Sequence, residues 1–125
     1  MSAAPSPTVL VADDNRDQRA LYVDILTHAG YAVIEARDGV EAIARARDDH
    51  PALILMDVTM PGTSGWNAVR AVRDQAETRD IPVIVITGLA GAGDRDASFA
   101  AGSDAYLSKP VSPRRLLEEV RRFLG

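Results

Sequence analysis

Five short apolar runs alternate with five longer segments along this chain. The runs are three to six residues long and mostly apolar, as the buried strands of a parallel sheet are. The longer segments repeat apolar residues every three or four positions, which is the period of a helix with one buried face. The alternation predicts a single α/β domain, with one parallel sheet and helices on both of its faces.

The boundaries of these elements follow from residues that start or stop helices and strands. The predicted strands are Val9–Ala12, Tyr31–Ala36, Leu53–Asp57, Val83–Ile86 and Ala105–Leu107. The predicted helices are Arg16–Ala29, Val40–Asp48, Gly65–Gln75, Arg95–Ala101 and Pro113–Leu124. Side chains able to cap a helix N-terminus precede four of these helices, namely Asp14 or Asn15, Ser64, Asp94 and Ser112.

The apolar positions also predict which side of each helix faces the sheet. The first helix is expected to face the sheet with Leu21, Ile25, Leu26 and Ala29. The second helix is expected to face it with Val40, Ile43 and Ala44. The third is expected to bury Trp66, Val69 and Val72 and to leave Arg70 and Arg73 outside. The segment around the fourth helix is rich in glycine, which predicts the most mobile part of the chain.

Composition narrows the classes of function. The 125 residues suffice for one domain, and the absence of cysteine excludes disulfides, thiol catalysis and thiolate metal sites. A net charge of -4 gives no general attraction to nucleic acid. No apolar run is long enough to span a bilayer, and the first residues do not form a signal peptide, so we expect a cytoplasmic protein.

Polar side chains follow four of the predicted strands at the point where each strand ends. Asp13 and Asp14 follow the first strand, Asp57 ends the third, Thr87 follows the fourth, and Lys109 follows the fifth. Lys109 is the only lysine in the chain. Because the carboxyl ends of parallel strands share one edge of the sheet, we expect these residues to form one site.

Three neighbouring carboxylates repel one another and need a cation. Two unit charges 4 Å apart interact by about 4 kcal/mol at an effective dielectric constant of 20. The available ligands are oxygen atoms, which favour Mg²⁺, with Mn²⁺ in substitution, over zinc. Lys109 and the Thr87 hydroxyl supply a positive charge and a donor for phosphate. The site is therefore predicted to handle a phosphoryl group, with Asp57 as the nucleophile.

Four motifs in this order resemble the receiver domain of response regulators, the phosphoacceptor half of two-component signalling. They are the paired acids Asp13-Asp14, the stretch DVTMPGTSG at 57–65, Thr87-Gly88, and Tyr106 followed by Lys109-Pro110. The resemblance covers nearly all of residues 8–124, with a disordered leader expected at 1–7. It implies a flavodoxin-like, three-layer (βα)5 fold, with a five-stranded parallel sheet in the order 2-1-3-4-5.

The resemblance implies a chemical role for each residue around the acceptor. Asp57 would accept the phosphoryl group. Lys109 would pair first with Asp57 and then with the phosphoryl group. Asp14, Asp57 and the backbone carbonyl of Thr59 would bind Mg²⁺ directly, with Asp13 acting through water.

The resemblance also implies a switch. Thr87 would move to the phosphoryl oxygen, and Tyr106 would turn inward into the space that is vacated. A ring that simply packs at the edge of the core is the alternative for Tyr106. The bond between Lys109 and Pro110 is expected to be cis. Thr59 and the two residues after Thr87 lie where the family tunes attack of water on the phosphoaspartate.

The implied function is a phosphorylation-dependent signalling switch rather than an enzyme, assisting only its own phosphorylation and dephosphorylation. A histidine kinase or phosphotransfer protein would supply the phosphoryl group. The surface of helix 4, strand 5 and helix 5 would then change for a downstream protein target or output domain. No direct nucleic-acid or membrane partner is expected, and the state is a monomer or a phosphorylation-dependent dimer.

Three other functions fit parts of the sequence. A phosphatase of the haloacid-dehalogenase type also uses an aspartate nucleophile, but it needs a second acid at the position of Thr59. A flavodoxin-like mononucleotide binder would need a loop rich in hydroxyl groups and glycine where Asp13 and Asp14 stand. A receiver domain that serves only as a docking module, without phosphorylation, is the third.

Overall fold

The structure of the chain is a computed structural model that describes residues 7–57, 65–88 and 92–124. The strands are β1 Thr8–Ala12, β2 Ala32–Ala36, β3 Leu53–Asp57, β4 Val83–Thr87 and β5 Ala105–Ser108. The helices are α1 Arg16–His28, α2 Gly39–Asp49, α3 Gly65–Asp74, α4 Ala92–Ala101 and α5 Pro113–Leu124. Strands and helices alternate throughout, as the pattern predicted.

All strand pairs are parallel, and the sheet has the order β2-β1-β3-β4-β5. The predicted fold class and strand order are therefore confirmed. Strands β3 and β4 lie in the middle of the sheet and are buried along their whole length, which is why their sequences are uninterrupted apolar runs. Strand β2 forms one edge and is only partly buried, in keeping with its more polar sequence.

Two apolar clusters lie on opposite faces of the sheet. One cluster joins β-strand side chains to α2, α3 and α4, with Ala42, Val69 and Ala101 among its members. The other joins the opposite strand faces to α1 and α5 through Tyr22, Leu26, Leu116 and Val120. These clusters give the three layers of the fold. No helix within the described ranges is long and apolar enough to cross a membrane.

Short polar side chains cap α1 and α5 where they were expected. Asn15 Oδ1 accepts the Gln18 N–H at 2.9 Å at the start of α1, and Ser112 Oγ accepts the Arg115 N–H at 3.1 Å at α5. Helix α4 begins at Ala92, three residues before the predicted start, so Asp94, which was expected to precede the helix as its cap, falls within the helix range. The predicted cap Ser64 and residues 1–6 of the expected leader at 1–7 lie outside the described residues.

Two apolar residues predicted to face the sheet do not. Leu21 is 55% exposed and Val40 is 66% exposed. Tyr22 and Leu26 form the buried face of α1, and Leu21 lies one residue, or about 100°, away from Tyr22 around the helix. Val40 lies two residues, or about 200°, from the buried Ala42 and therefore points away from the sheet.

Arg73 was predicted to lie on the solvent-facing side of α3, and this prediction is wrong. Its guanidinium group donates to the backbone carbonyls of Gly102 at 2.7 Å, Arg79 at 2.8 Å and Ile81 at 2.6 Å. It also pairs with the carboxylate of Asp104. Arg73 thus satisfies carbonyl groups of two loops that lead into β4 and β5. Arg70 is exposed, as predicted.

Candidate functional site

The predicted site residues meet at the carboxyl edge of the sheet. The parallel register pairs Ala12 with Met56 and Asp57 with Ile86, so the ends of β1, β3 and β4 lie side by side. Asp57 is the last residue of β3 and is 3% exposed, and Thr87 is the last residue of β4 and is fully buried. The residues expected to converge are therefore positioned by the sheet itself.

Three carboxylates form the acidic part of this site. One carboxylate oxygen from each of Asp13, Asp14 and Asp57 lies within 4.8 Å of the others. Asp13 and Asp57 are buried, whereas Asp14 is exposed to solvent. Carboxylates this close favour either a shared cation or protonation of one of them. Their oxygen ligands suit a hard divalent cation such as Mg²⁺.

The Asp13 carboxylate lies in an unfavourable electrostatic environment. Its Oδ1 accepts the Asn15 N–H at 2.9 Å, but its Oδ2 is buried with no hydrogen-bond partner among the described residues. Burial, and secondarily the nearby charge of Asp57, raises the pKa of Asp13 to about 6. A buried carboxylate oxygen without a donor is costly, and a cation beside it would remove that cost.

Lys109 supplies the positive charge of the site. Its Nζ donates to Asp57 Oδ2 at 2.8 Å and to Gln18 Oε1 at 3.0 Å. Its backbone N–H donates to the Thr87 carbonyl at 2.8 Å, which ties the turn after β5 to the end of β4. The Lys109–Pro110 peptide bond is cis. The predicted pairing of Lys109 with Asp57 is therefore present in the structure.

Residues of α1 support the site, although no sequence motif pointed to them. Arg19 Nη1 donates to the backbone carbonyl of Asp13 at 2.8 Å, while its Nε pairs with Glu35 on β2 at 2.9 Å. Gln18 lies between Lys109 and Tyr22. A helical projection aligned on the Asn15 cap could have found Gln18 and Tyr22, since residues four apart share one helix face.

The predicted switch residues lie on adjacent strands. Thr87 ends β4, and Tyr106 on β5 pairs in register with Val85, two residues before Thr87. Tyr106 is half-buried and packs against the cluster formed with α2, α3 and α4. This position is compatible with both predictions for Tyr106, namely a ring that moves on phosphorylation and a ring that only packs at the edge of the core. Thr59, whose carbonyl was predicted as a metal ligand, lies outside the described residues.

Comparison of the sequence with known proteins relates this chain to one family. A family model for the response regulator receiver domain matches residues 9–121. The polar-differentiation response regulator DivK of Brucella ovis is 39% identical over 118 residues, which are 94% of this chain and 96% of that protein.

Solved structures give the same fold. The chemotaxis protein CheY4 of Vibrio cholerae is 33% identical with a TM-score of 0.89, and the match covers 96% of this chain and 99% of that one. The receiver domain of the sensor histidine kinase PA1611 from Pseudomonas aeruginosa is 32% identical, also with a TM-score of 0.89. That match covers 96% of this chain and 98% of the other, which holds a magnesium ion coordinated in its active site cleft.

Proposed function

The chain belongs to the response regulator receiver domain family, and from this premise we propose that Asp57 is its phosphoacceptor. Receiver domains are phosphorylation-dependent switches of two-component signalling, and this chain is one of them. The observation that carries the assignment of Asp57 is its contact with Lys109. A buried carboxylate at a strand end is held at 2.8 Å by the only lysine of the chain, beside two further acids.

The proposed reaction is nucleophilic attack by a carboxylate oxygen of Asp57 on phosphorus. In transfer from a histidine kinase or phosphotransfer protein, an O–P bond forms on Asp57 and the P–N bond of phosphohistidine breaks. The imidazole leaves with the electron pair. In transfer from acetyl phosphate, the leaving group is acetate. The product in either case is an aspartyl phosphate, which water later hydrolyses.

Asp13, Asp14 and Asp57 would hold the divalent cation that this chemistry uses. Asp13 Oδ2, which has no hydrogen-bond partner in the described part of the chain, and the oxygen ligands of the cluster fit Mg²⁺, and Mn²⁺ is expected to substitute for it. Such a cation would offset the negative charge of the carboxylates and of the phosphoryl group. The Thr59 carbonyl remains the proposed backbone ligand.

Lys109 and Thr87 would serve the phosphoryl group after transfer. Lys109 holds Asp57 before the reaction and would pass to a phosphoryl oxygen afterwards, as a compact cation can do. Thr87 is fully buried at the neighbouring strand end, and its hydroxyl would donate to the same group. These residues assist the chain's own phosphorylation and dephosphorylation, and no turnover of another substrate is proposed.

Intact-mass measurement tests the phosphoacceptor directly. The wild-type chain incubated with Mg²⁺ and acetyl phosphate should gain one phosphate, and Asp57→Asn should gain none. Asp80→Asn is the matched control, because Asp80 is an exposed acid in the loop before β4. A wild-type chain that gains no phosphate would refute the proposed function, and an Asp57→Asn chain that gains one would move the acceptor elsewhere.

The proposed output is a change in the surface formed by α4, β5 and α5. This surface carries Phe99, which is 44% exposed beside the Arg95 guanidinium, and the half-buried Tyr106. A downstream protein would bind one state of this surface more tightly than the other. Backbone amide exchange with and without a phosphoryl mimic such as beryllium fluoride measures the change. Unchanged exchange in residues 92–112 would exclude this output surface.

A further inference from the structure

A chain of hydrogen bonds joins Asp57 to the hydrophobic core through α1. Lys109 Nζ donates both to Asp57 Oδ2 at 2.8 Å and to Gln18 Oε1 at 3.0 Å. Gln18 Nε2 in turn donates to the Tyr22 hydroxyl oxygen at 3.0 Å. Tyr22 is only 4% exposed and belongs to the cluster between the sheet, α1 and α5. The lysine of the site therefore has one partner on β3 and a second partner on α1.

The chemistry of the donors fixes the orientation of the Gln18 amide. An ammonium group offers only donors, so the atom that faces Lys109 must be the amide oxygen. The amide nitrogen then faces Tyr22, whose hydroxyl oxygen can accept. A flipped amide would set two donors against each other at Lys109. The arrangement of these three side chains is thus the one in which each contact joins a donor to an acceptor.

Gln18 is also fixed at its backbone. Its N–H donates to the Asn15 side chain at 2.9 Å, the bond that caps α1 directly after the paired acids. The side chain is held at both polar atoms, and it is half-buried. A side chain with its backbone capped and both polar atoms bonded loses most of its rotamer freedom. Gln18 can therefore hold the ammonium group in one place.

We propose that Gln18 is a positioning residue for Lys109 in phosphoryl transfer. The lysine side chain is long and flexible, so one contact to Asp57 leaves its position poorly defined. When Asp57 becomes an acyl phosphate, the oxygen that held Lys109 changes its charge and bonding. The contact with Gln18 does not depend on that change, so it keeps Lys109 within reach of the phosphoryl oxygens. The inference rests on the proposed function of Asp57.

The single lysine allows a direct spectroscopic test. Labelling with ¹⁵N-lysine gives one side-chain ammonium signal, which belongs to Lys109. Loss of a hydrogen bond to a charged group should speed exchange of its protons with water by about tenfold in Gln18→Leu. Gln75→Leu, at the other glutamine of the chain, is the matched control and should leave the signal unchanged. Gln18→Glu keeps an acceptor at this place and should keep exchange slow.

The same variants test the reaction itself. The rate of phosphate gain from acetyl phosphate, followed by intact mass, should fall by about tenfold in Gln18→Leu and stay at the wild-type value in Gln75→Leu. Tyr22→Phe removes the hydroxyl group that accepts from Gln18 Nε2 but leaves the bond between Gln18 and Lys109. Its effects on ammonium exchange and on the rate of phosphate gain should therefore be smaller and in the same direction. Thermal unfolding by circular dichroism shows whether each variant is folded.

The outcomes separate this inference from the proposed function. A wild-type chain that gains no phosphate overturns the role of Asp57, whatever the lysine signal does. Equal rates of phosphate gain in wild type and Gln18→Leu overturn only the role of Gln18. A slower reaction with unchanged ammonium exchange also overturns it, because the effect would then not act through Lys109. Should Gln18→Leu fail to fold, Tyr22→Phe decides by the same two measurements.

Discussion

Replacing Asp13 by asparagine should stabilise the protein in metal-free buffer at neutral and higher pH. In the folded chain this carboxylate is fully buried and one of its oxygens has no hydrogen-bond partner among the described residues. Asparagine has nearly the same shape and no charge. Its amide oxygen can still accept from the Asn15 N–H, and its NH₂ group would face the carboxylate of Asp57, which accepts. The substitution removes a buried charge without leaving a cavity.

The raised pKa gives the size of the effect. The pKa of Asp13 rises from 3.8 to about 6, chiefly through burial. Between these values the folded chain binds more protons than the unfolded chain, so the free energy of unfolding falls as the pH rises through this window. Above both values the ionised group costs about 3 kcal/mol, and at pH 5 it costs about half as much. The gain from Asp13→Asn should follow the same curve.

Urea unfolding at several pH values measures this gain. Trp66 is the only tryptophan and packs against the core, so its fluorescence reports unfolding. In EDTA at pH 8, Asp13→Asn should exceed wild type by about 3 kcal/mol in free energy of unfolding, and the advantage should halve at pH 5. Excess Mg²⁺ should stabilise wild type by mass action and the variant much less, since one carboxylate of the cluster is gone.

Asp14→Asn is the matched control for this experiment. Asp14 belongs to the same cluster but is exposed, so its replacement should change the metal-free stability by no more than about 0.5 kcal/mol. Two results would refute the reasoning about Asp13. One is a variant no more stable than wild type at pH 8, and the other is an advantage that does not change between pH 5 and pH 8.

Three further substitutions test contacts away from the carboxylates, each by urea unfolding. Arg73→Met should cost about 2 to 4 kcal/mol, because several buried or half-buried acceptors lose their donor, whereas the exposed Arg70→Met should have little effect. Gly102→Ala should cost about 1 to 3 kcal/mol, since Gly102 has a φ of +110° and its new Cβ would lie 2.6 Å from Arg73 Cγ. Glu119→Gln should cost about 1 to 3 kcal/mol, because this buried carboxylate accepts from Arg115 at 2.8 Å and Arg122 at 2.6 Å.

A specific result would contradict each of these three predictions. Equal losses in Arg73→Met and Arg70→Met would mean that the carbonyl contacts of Arg73 do not stabilise the fold. Gly30→Ala, at a φ of +98° with open space around the new Cβ, measures strain alone, so a loss as large as in Gly102→Ala would exclude a steric term. Glu119→Gln behaving like an exposed substitution would show that its two arginines contribute nothing measurable.

The fold could be predicted because its central strands are unmistakable. Leu53–Asp57 and Val83–Thr87 are buried at every position, and such runs have no competing helical period. The site could be predicted from the same strands, because a parallel sheet brings the carboxyl ends of its strands to one edge. Asp13, Asp57, Thr87 and Lys109 all lie at or just after such ends. Local sequence therefore determined the main elements, and topology determined the placement of the acids and the lysine.

The errors concern which side chains of a helix face the rest of the protein. Leu21 is as apolar as its buried neighbours, but Tyr22 and Leu26 occupy the face toward the sheet. Arg73 looks like any exposed arginine in the sequence, and only the fold brings carbonyls from two other segments around it. Gln18 was missed for the same reason, since its partner Lys109 is 91 residues away.

The spread of the site along the chain has a consequence for synthesis on the ribosome. Asp13, Asp14 and Asp57 leave the ribosome before Lys109, whose ammonium group pairs with Asp57 in the folded chain. A nascent chain that docked β1 against β3 early would bring three acids together without that cation. We therefore expect a nascent chain that lacks β5 to balance the charge of these acids only with a divalent cation, until Lys109 emerges with the turn after β5.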